Sequence, residues 1–429
     1  MSRQIWRGTL CLLCAVLSYP AMNAFAQPEA RDSTYYENLA RNAYKEKNYG
    51  VFLESMKRAV ELRPNHPRLM YNLAAAYALN GEAGDAVAWL RKTAAMGLIF
   101  SPAGDDDFAS LKNSPEFKSV LEEFERNKLP RVRSVTAFTV PEKDLVPESV
   151  AYDARDQVFY LSSVYKRKII SVGKSGKARV FAGESDDLWS VMGMKVDRKR
   201  RLLWVCTTAH QQMSNFRAED KGKAALLKYD LTTGRLLARF QPKDTAAHWL
   251  GDLVINSQGD VFTTDSVSPV IYIMRHNGNE LEPFLTGPPF VSLQGLDFTR
   301  NQKQLFVADY AKGIFLVDLE TKKVTPITAA TTLLGIDGLY AYKDSLICIQ
   351  NGVNPNRVIR LSLSKNLTHV ERFETIEANN PLFDEPTLGV VVKDDFYFVA
   401  NSQWGAIDQT GHLKSIESMK DPTILKLKL

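Results

Sequence analysis

The stretch VAYDARDQVFYLS, residues 150–162, is a short apolar strand, a polar turn, and a second apolar strand ending in a small polar residue. Five further copies of this unit follow: MKVDRKRRLLWVC from 194, LVINSQGDVFTTD from 253, LDFTRNQKQLFVAD from 296, LYAYKDSLICIQN from 339 and VVVKDDFYFVAN from 390. The copies start 43 to 59 residues apart, which is the length of a four-stranded propeller blade. Most lead into a third apolar strand, such as IISV at 169–172, IYIM at 271–274 or IFLV at 314–317. Six copies predict six blades over residues 131–429. The C-terminal TILKLKL, residues 423–429, alternates with period two and supplies a last strand, and Val132 to Val140 supplies an outer strand for the closing blade. Closing the ring removes open sheet edges.

Upstream the periodicity changes. Leu39, Ala40, Ala43, Phe52, Met56 and Ala59 fall at helical spacing, and 34 residues later stand Leu73, Ala74, Tyr77, Ala86, Leu90 and Thr93. Small residues at the close-packing positions, Pro64 after the second helix and Gly81 in the next inter-helix turn make this segment similar to the tetratricopeptide repeat. Each helix pair has an apolar face that only a neighbour can bury. Two repeats are few, so a third helix around Phe117 to Phe124 is expected to cap the stack. The fold class is therefore α+β and multidomain, with helical hairpins over 34–130 followed by an all-β six-bladed propeller over 131–429.

The first 26 residues read as a secretory signal: Arg3 and Arg7, an apolar run from Leu10 to Leu17, and the small-residue cleavage pattern Ala24-Phe25-Ala26. The expected location is periplasmic or secreted. No later segment has 18 consecutive apolar residues, so no membrane span is expected in the mature chain. Removal of the signal lowers the net charge from +5 by the two arginines, leaving too mild an excess for a nucleic-acid binder. The run Arg198 to Arg201 reads as a solvated turn. Cys206 and Cys348 remain after processing, each in an apolar strand, and are expected as buried free thiols in non-neighbouring blades. No phosphate loop or serine-nucleophile elbow occurs, so no nucleotide cofactor is expected.

The residues that precede each inner strand face the propeller axis. They read Pro147-Glu148-Ser149, Val191-Met192-Gly193, Leu250-Gly251-Asp252, Leu293-Gln294-Gly295, Ile336-Asp337-Gly338 and Thr387-Leu388-Gly389. The recurrent glycine before an apolar strand resembles the regucalcin/gluconolactonase family of six-bladed propellers, and more distantly the strictosidine-synthase-like and NHL-type propellers, over residues 145–429. The resemblance implies one axial divalent cation, calcium before others. Its ligands would be Glu148, Asp337 and, where the family has Asn, Gln294, whose carbonyl lies one methylene further out. Glu148 and Asp337 are then also the candidate catalytic carboxylates. The family also has a substrate-positioning Asn in the third blade; here that place reads Gly251-Asp252, a departure that leaves the contact missing or remodelled.

The chemistry suits the residue types. A hard cation takes carboxylate and amide oxygens. On the axis it would polarise a lactone or ester carbonyl and acidify a water, with a nearby carboxylate as base. Met192, Asp252, His248 and Trp249 are the further candidates for a ligand pocket, Trp404 and Trp189 for stacking. The long polar loop Ala209–Lys223, inside the second blade, is of the kind that covers a ligand site. Two functions stay open. One is an exported binding or scaffold protein whose helices recruit a protein or peptide while the propeller offers a small-molecule pocket. The other is a metal-dependent hydrolase of a lactone or related ester.

Overall fold

The structure is a computed structural model and describes residues 32–183 and 187–429; the expected signal segment, with Cys11 and Cys14, lies outside them. Five α-helices come first: α1 (Ser33–Lys45), α2 (Tyr49–Leu62), α3 (Pro67–Leu79), α4 (Ala83–Ala95) and α5 (Pro115–Asn127). α1 starts at 33 and α3 at 67, α2 at 49 and α4 at 83, so the 34-residue offset holds in three dimensions. Local chemistry fixes the starts. Asp32, Asn48 and Ser114 each accept a backbone N–H from the first turn, and Pro67 occupies the first position of α3, where no N–H is needed.

Successive helices pack on one another, and Ala40, Ala59, Ala74 and Ala86 are fully buried where the backbones approach. Leu39 departs from expectation: it is exposed, whereas Leu73 at the equivalent position is buried. Among the described residues α1 is the first helix of the stack, and none of them covers its outer side. α5 closes the other end with Phe117, Val120 and Phe124.

The rest is a ring of six four-stranded antiparallel sheets. One outer strand, β1 (Val135–Thr139), precedes them. Blade 1 holds β2 (Val150–Asp153), β3 (Val158–Ser163), β4 (Lys168–Val172) and β5 (Ala178–Ala182). Blade 2 holds β6 (Ser190–Asp197), β7 (Leu202–Thr208), β8 (Ala224–Asp230) and β9 (Leu236–Phe240). Blade 3 holds β10 (Leu250–Ile255), β11 (Val261–Asp265), β12 (Val270–Met274) and β13 (Leu281–Thr286). Blade 4 holds β14 (Leu293–Phe298), β15 (Gln304–Asp309), β16 (Gly313–Asp318) and β17 (Val324–Pro326). Blade 5 holds β18 (Ile336–Tyr342), β19 (Ser345–Gln350), β20 (Arg357–Leu363) and β21 (Val370–Ala378). Blade 6 holds β22 (Gly389–Val392), β23 (Asp395–Val399) and β24 (Thr423–Lys428), and β1 pairs with β24 as its outer strand. Each inner strand touches the next around the ring, and β22 touches β2. Cys206 and Cys348 are buried free thiols in blades 2 and 5. Among the described residues no helix is long and apolar enough to cross a membrane.

The helices lie against blades 4 and 5. Arg357, fully buried at the start of β20, donates Nη1 to the Met96 carbonyl (2.7 Å) at the C-cap of α4, where a cation meets unpaired helix carbonyls. The Ile99 amide donates to the Asn354 carbonyl (2.7 Å), and Asn65 Nδ2 donates to the Ala329 carbonyl (2.9 Å). Val353, from the loop between β19 and β20, packs into the core of the helical stack.

Candidate functional site

The inner strands of blades 2 to 5 share one irregularity. Their pairing to the second strand slips between Val191 and Met194, Leu250 and Leu253, Leu293 and Leu296, and Ile336 and Leu339. These bulges hold Met192-Gly193, Gly251-Asp252, Gln294-Gly295 and Asp337-Gly338. A bulge turns a side chain out of the pleat, and here the turned side chains meet on the axis. The glycines have a steric reason. A Cβ on Gly193 would lie 2.7 Å from the Gly251 carbonyl oxygen, and one on Gly295 would lie 2.5 Å from the Asp337 carbonyl oxygen. The inner strands crowd together at this level, and only glycine fits between them.

The pocket so formed has a volume of about 270 Å3. Carboxylates come from Glu148, Asp252, Asp337 and Glu385, amides from Gln294 and Asn351, rings from Trp249, Tyr310 and Trp404, and Met192 lines it as well. Glu148, Gln294 and Asp337, from three separate blades, are thus brought together. Of the further candidates, Met192, Asp252 and Trp249 line the pocket and His248 does not. Its Nδ1 lies 2.6 Å from Asp265 Oδ2 and its Nε2 2.9 Å from Asp244 Oδ1, which hold the ring in blade 3 away from the axis. Trp189 also lies elsewhere, packed between blades 1 and 2 under Arg239.

Each of the three axial candidates keeps one oxygen uncommitted among the described residues. Glu148 Oε2 accepts from the Trp404 indole N–H (2.8 Å), leaving Oε1. Asp337 Oδ2 accepts from Asn351 Nδ2 (2.8 Å), leaving Oδ1. Gln294 Nε2 donates to Ser292 Oγ (3.3 Å), leaving its carbonyl. Asp252 is buried with neither oxygen hydrogen-bonded, and only the Lys195 ammonium stands near, 3.7 Å from Oδ1.

Electrostatics follow from this crowding. Burial, and then the charge of Asp337, push the Glu148 carboxyl well above its ordinary value against the pull of Trp404. Burial lifts Asp337 to about 7, opposed by Asn351 and reinforced by Asp252 and Glu385. Burial likewise raises Asp252 and Glu385. Four acids with a single nearby ammonium form a site short of positive charge.

The rim is aromatic. The long loop between β7 and β8 brings His210 between the two tryptophans, with ring centroids 4.6 Å from Trp249 and 5.5 Å from Trp404. Burial lowers His210 to about 4, so it is a neutral spacer at physiological pH. Asp265 and Asp309, which end second strands, accept backbone N–H groups from Trp249 and from Val291 and Ser292, so they are turn caps.

Sequence reasoning did not single out Tyr310, Asn351 or Glu385. Aligning the ends of the six copies would have drawn attention to two of them. Asn351 closes the fifth copy and Tyr310 follows the fourth, both at the axial end of a second strand. Glu385 comes from the irregular stretch before β22, where no periodicity marks it.

For a divalent cation, the three uncommitted oxygens are hard donors of the right kind, and the excess of buried acid calls for positive charge. Among the described residues no group of three or more His, Cys, Asp or Glu side chains is arranged to hold a metal, so the Gln294 carbonyl would have to complete the set.

No protein-family model matches the chain, and no curated protein does. Among solved structures, the chain is similar to the PQQ-bound aldose sugar dehydrogenase of Streptomyces coelicolor, at 12% identity and TM-score 0.48, covering 70% of this chain and 99% of that one. It is also similar to a gluconolactonase of Xanthomonas campestris, at 12% identity and TM-score 0.45, covering 70% and 95%. A third is a virginiamycin B lyase of Staphylococcus aureus, at 11% identity and TM-score 0.46, covering 69% and 98%. A dehydrogenase, a lactonase and a lyase stand at equal distance, and the likeness selects no reaction among them.

Proposed function

We propose that the axial pocket hydrolyses a lactone or related ester of a small molecule, with a divalent cation, calcium first, held by Glu148, Gln294 and Asp337. The observation that carries this reading is the convergence of those three residues, each with a free oxygen, in one acidic pocket. When bound, the cation would polarise the carbonyl and acidify a water.

The chain's own residues do the rest. The Trp404 indole and the Asn351 amide orient Glu148 and Asp337. Trp249 and Trp404, tilted 36° to one another with His210 stacked on both, give the pocket an aromatic rim that a ring can contact. Glu385, half-buried and with its proton affinity raised by burial, is the proton carrier. It takes the proton of the attacking water as the water oxygen bonds to the carbonyl carbon. It returns that proton to the alkoxide oxygen as the carbon–oxygen bond of the ester breaks.

The test is hydrolysis of glucono-δ-lactone and γ-butyrolactone by pH-stat, with calcium, magnesium, manganese or zinc, alongside metal content. Glu148→Gln and Asp337→Asn should each lose bound calcium and lower turnover by about 100-fold or more. A wild-type chain that binds no divalent ion and opens neither lactone defeats the reading.

The scaffold reading keeps one supporting observation. A groove of about 340 Å3 runs along the helical stack, lined by Arg41, Tyr44, Tyr71 and Asn72 among others. If the helices recruit a peptide there, an Arg41→Glu, Asn72→Ala double variant will lose whatever partner the full chain retains.

A further inference from the structure

A second and larger cavity, of about 740 Å3, lies between the helices and blades 4 and 5. It meets the axial pocket at Tyr310 and Asn351, which line both. The junction is also a chemical one. Tyr310 donates its hydroxyl to Asn351 Oδ1 (3.0 Å), and Asn351 donates Nδ2 to Asp337. Gly335 and Gly352 cross closely beside it. A Cβ on Gly352 would lie 2.6 Å from the Tyr310 ring, so glycine there leaves room for the tyrosine.

The two cavities differ in charge. The axial pocket is lined by four acids and no base. The cleft is lined by Arg63 and Arg68 against the single acid Glu37. Arg63 is already used: it reaches Glu37 (3.5 Å) and the Ala311 carbonyl (3.3 Å), tying the helices to blade 4. Arg68, in the first turn of α3, is exposed and makes no hydrogen bond or ion pair with any described residue. His66 beside them is kept neutral, lowered to about 4 by burial and by both arginines. Arg68 also lines the groove along the helical stack, so its free positive charge stands on the helical wall shared by that groove and the cleft.

Size points the same way. Small-molecule sites usually measure about 300–1,000 Å3, so the axial pocket alone is at the lower limit and the cleft well inside the range. Resting on the hydrolase reading of the axis, we infer that the substrate has two parts: its reacting carbonyl sits on the propeller axis and an anionic arm lies in the cleft against Arg68. The helical segment is then a wall of the substrate site, and Arg68 a specificity-determining residue.

The experiment separates binding from turnover. Equilibrium dialysis on the full-length chain compares N-(4-nitrophenyl)glutaramic acid, which carries a carboxylate arm, with neutral N-(4-nitrophenyl)acetamide. The acid should bind about tenfold tighter, the effect of one charge-assisted contact. Arg68→Ala should erase that preference, Arg68→Lys should restore part of it, and added salt should weaken it. Equal binding of the two compounds, or a preference that survives Arg68→Ala, overturns the inference. The corresponding esters, 4-nitrophenyl glutarate and 4-nitrophenyl acetate, report on the reaction itself. If neither is hydrolysed while the Arg68-dependent preference stands, the hydrolase fails and the anion-selective cleft remains.

Discussion

Asp337→Asn offers a quantitative test of the axial electrostatics when the calcium-free chain is followed from pH 4 to pH 8. Burial lifts this carboxyl from its ordinary 3.8 to about 7 in the folded chain. A carboxyl with a raised folded value holds its proton more tightly when folded than when unfolded. Below about pH 4 both states are protonated and the group is neutral in its effect. As pH rises toward 7 the unfolded chain ionises and the folded chain does not, so stability is lost across that window and is constant above it. At about 1.36 kcal/mol for each pH unit, the deficit reaches about 4 kcal/mol at neutral pH. Unfolding entropy of about 2.1 cal/mol/K per residue gives about 0.9 kcal/mol/K for a chain of 429 residues, so the deficit corresponds to about 4 °C in Tm. The Asn variant keeps an acceptor for Asn351 and cannot ionise. Its Tm should match wild type at pH 4 and exceed it by about 4 °C at pH 7.5 in EGTA, read by differential scanning fluorimetry. Calcium at 100 times its Kd should narrow the gap to about 1 kcal/mol, since it adds about 2.7 kcal/mol to wild type and little to the variant. A difference that stays flat with pH, or falls as pH rises, refutes the claim that Asp337 is a buried and uncompensated acid.

Two further substitutions probe how the ring is built. Gly295→Ala would place a Cβ 2.5 Å from the Asp337 backbone, and with no flexible group to yield, it should cost about 3 kcal/mol and weaken calcium binding, both visible in urea titrations with and without the ion. Phe138 on the closing strand stacks near Phe159 (5.1 Å), which in turn meets Tyr397 (4.9 Å). Because Phe138 is only half-buried, Phe138→Ala should cost about 2 kcal/mol, and by loosening β1 it should expose the β24 edge and raise the aggregated fraction in gel filtration. An unchanged urea midpoint for either variant would contradict its stated role.

What the sequence reveals of this molecule depends on whether a feature repeats. The blade unit occurs six times, so a weak signal in any copy is reinforced by the others, and the period alone implies a ring with residues 132–140 returning to close it. The same repetition made Glu148, Gln294 and Asp337 comparable. They occupy one register position in three blades, and a ring maps one register position onto one axis. Features without a repeat stayed hidden. Glu385 enters the pocket from an irregular segment, and Arg68 reaches the cleft because a helical segment packs across the propeller through a few unrepeated contacts, chiefly Arg357 to Met96 and Asn354 to Ile99. His248 misled for a related reason. It sits next to Trp249 in the irregular stretch just before β10, where Asp265 with Asp244 takes the imidazole while the indole takes the pocket. Leu39 shows the opposite limit of repetition: the pattern says it should pack like Leu73, yet among the described residues none packs on the outer face of the first helix. The axial pocket is therefore a property of the repeat, and the cleft beside it is a property of the exceptions to it.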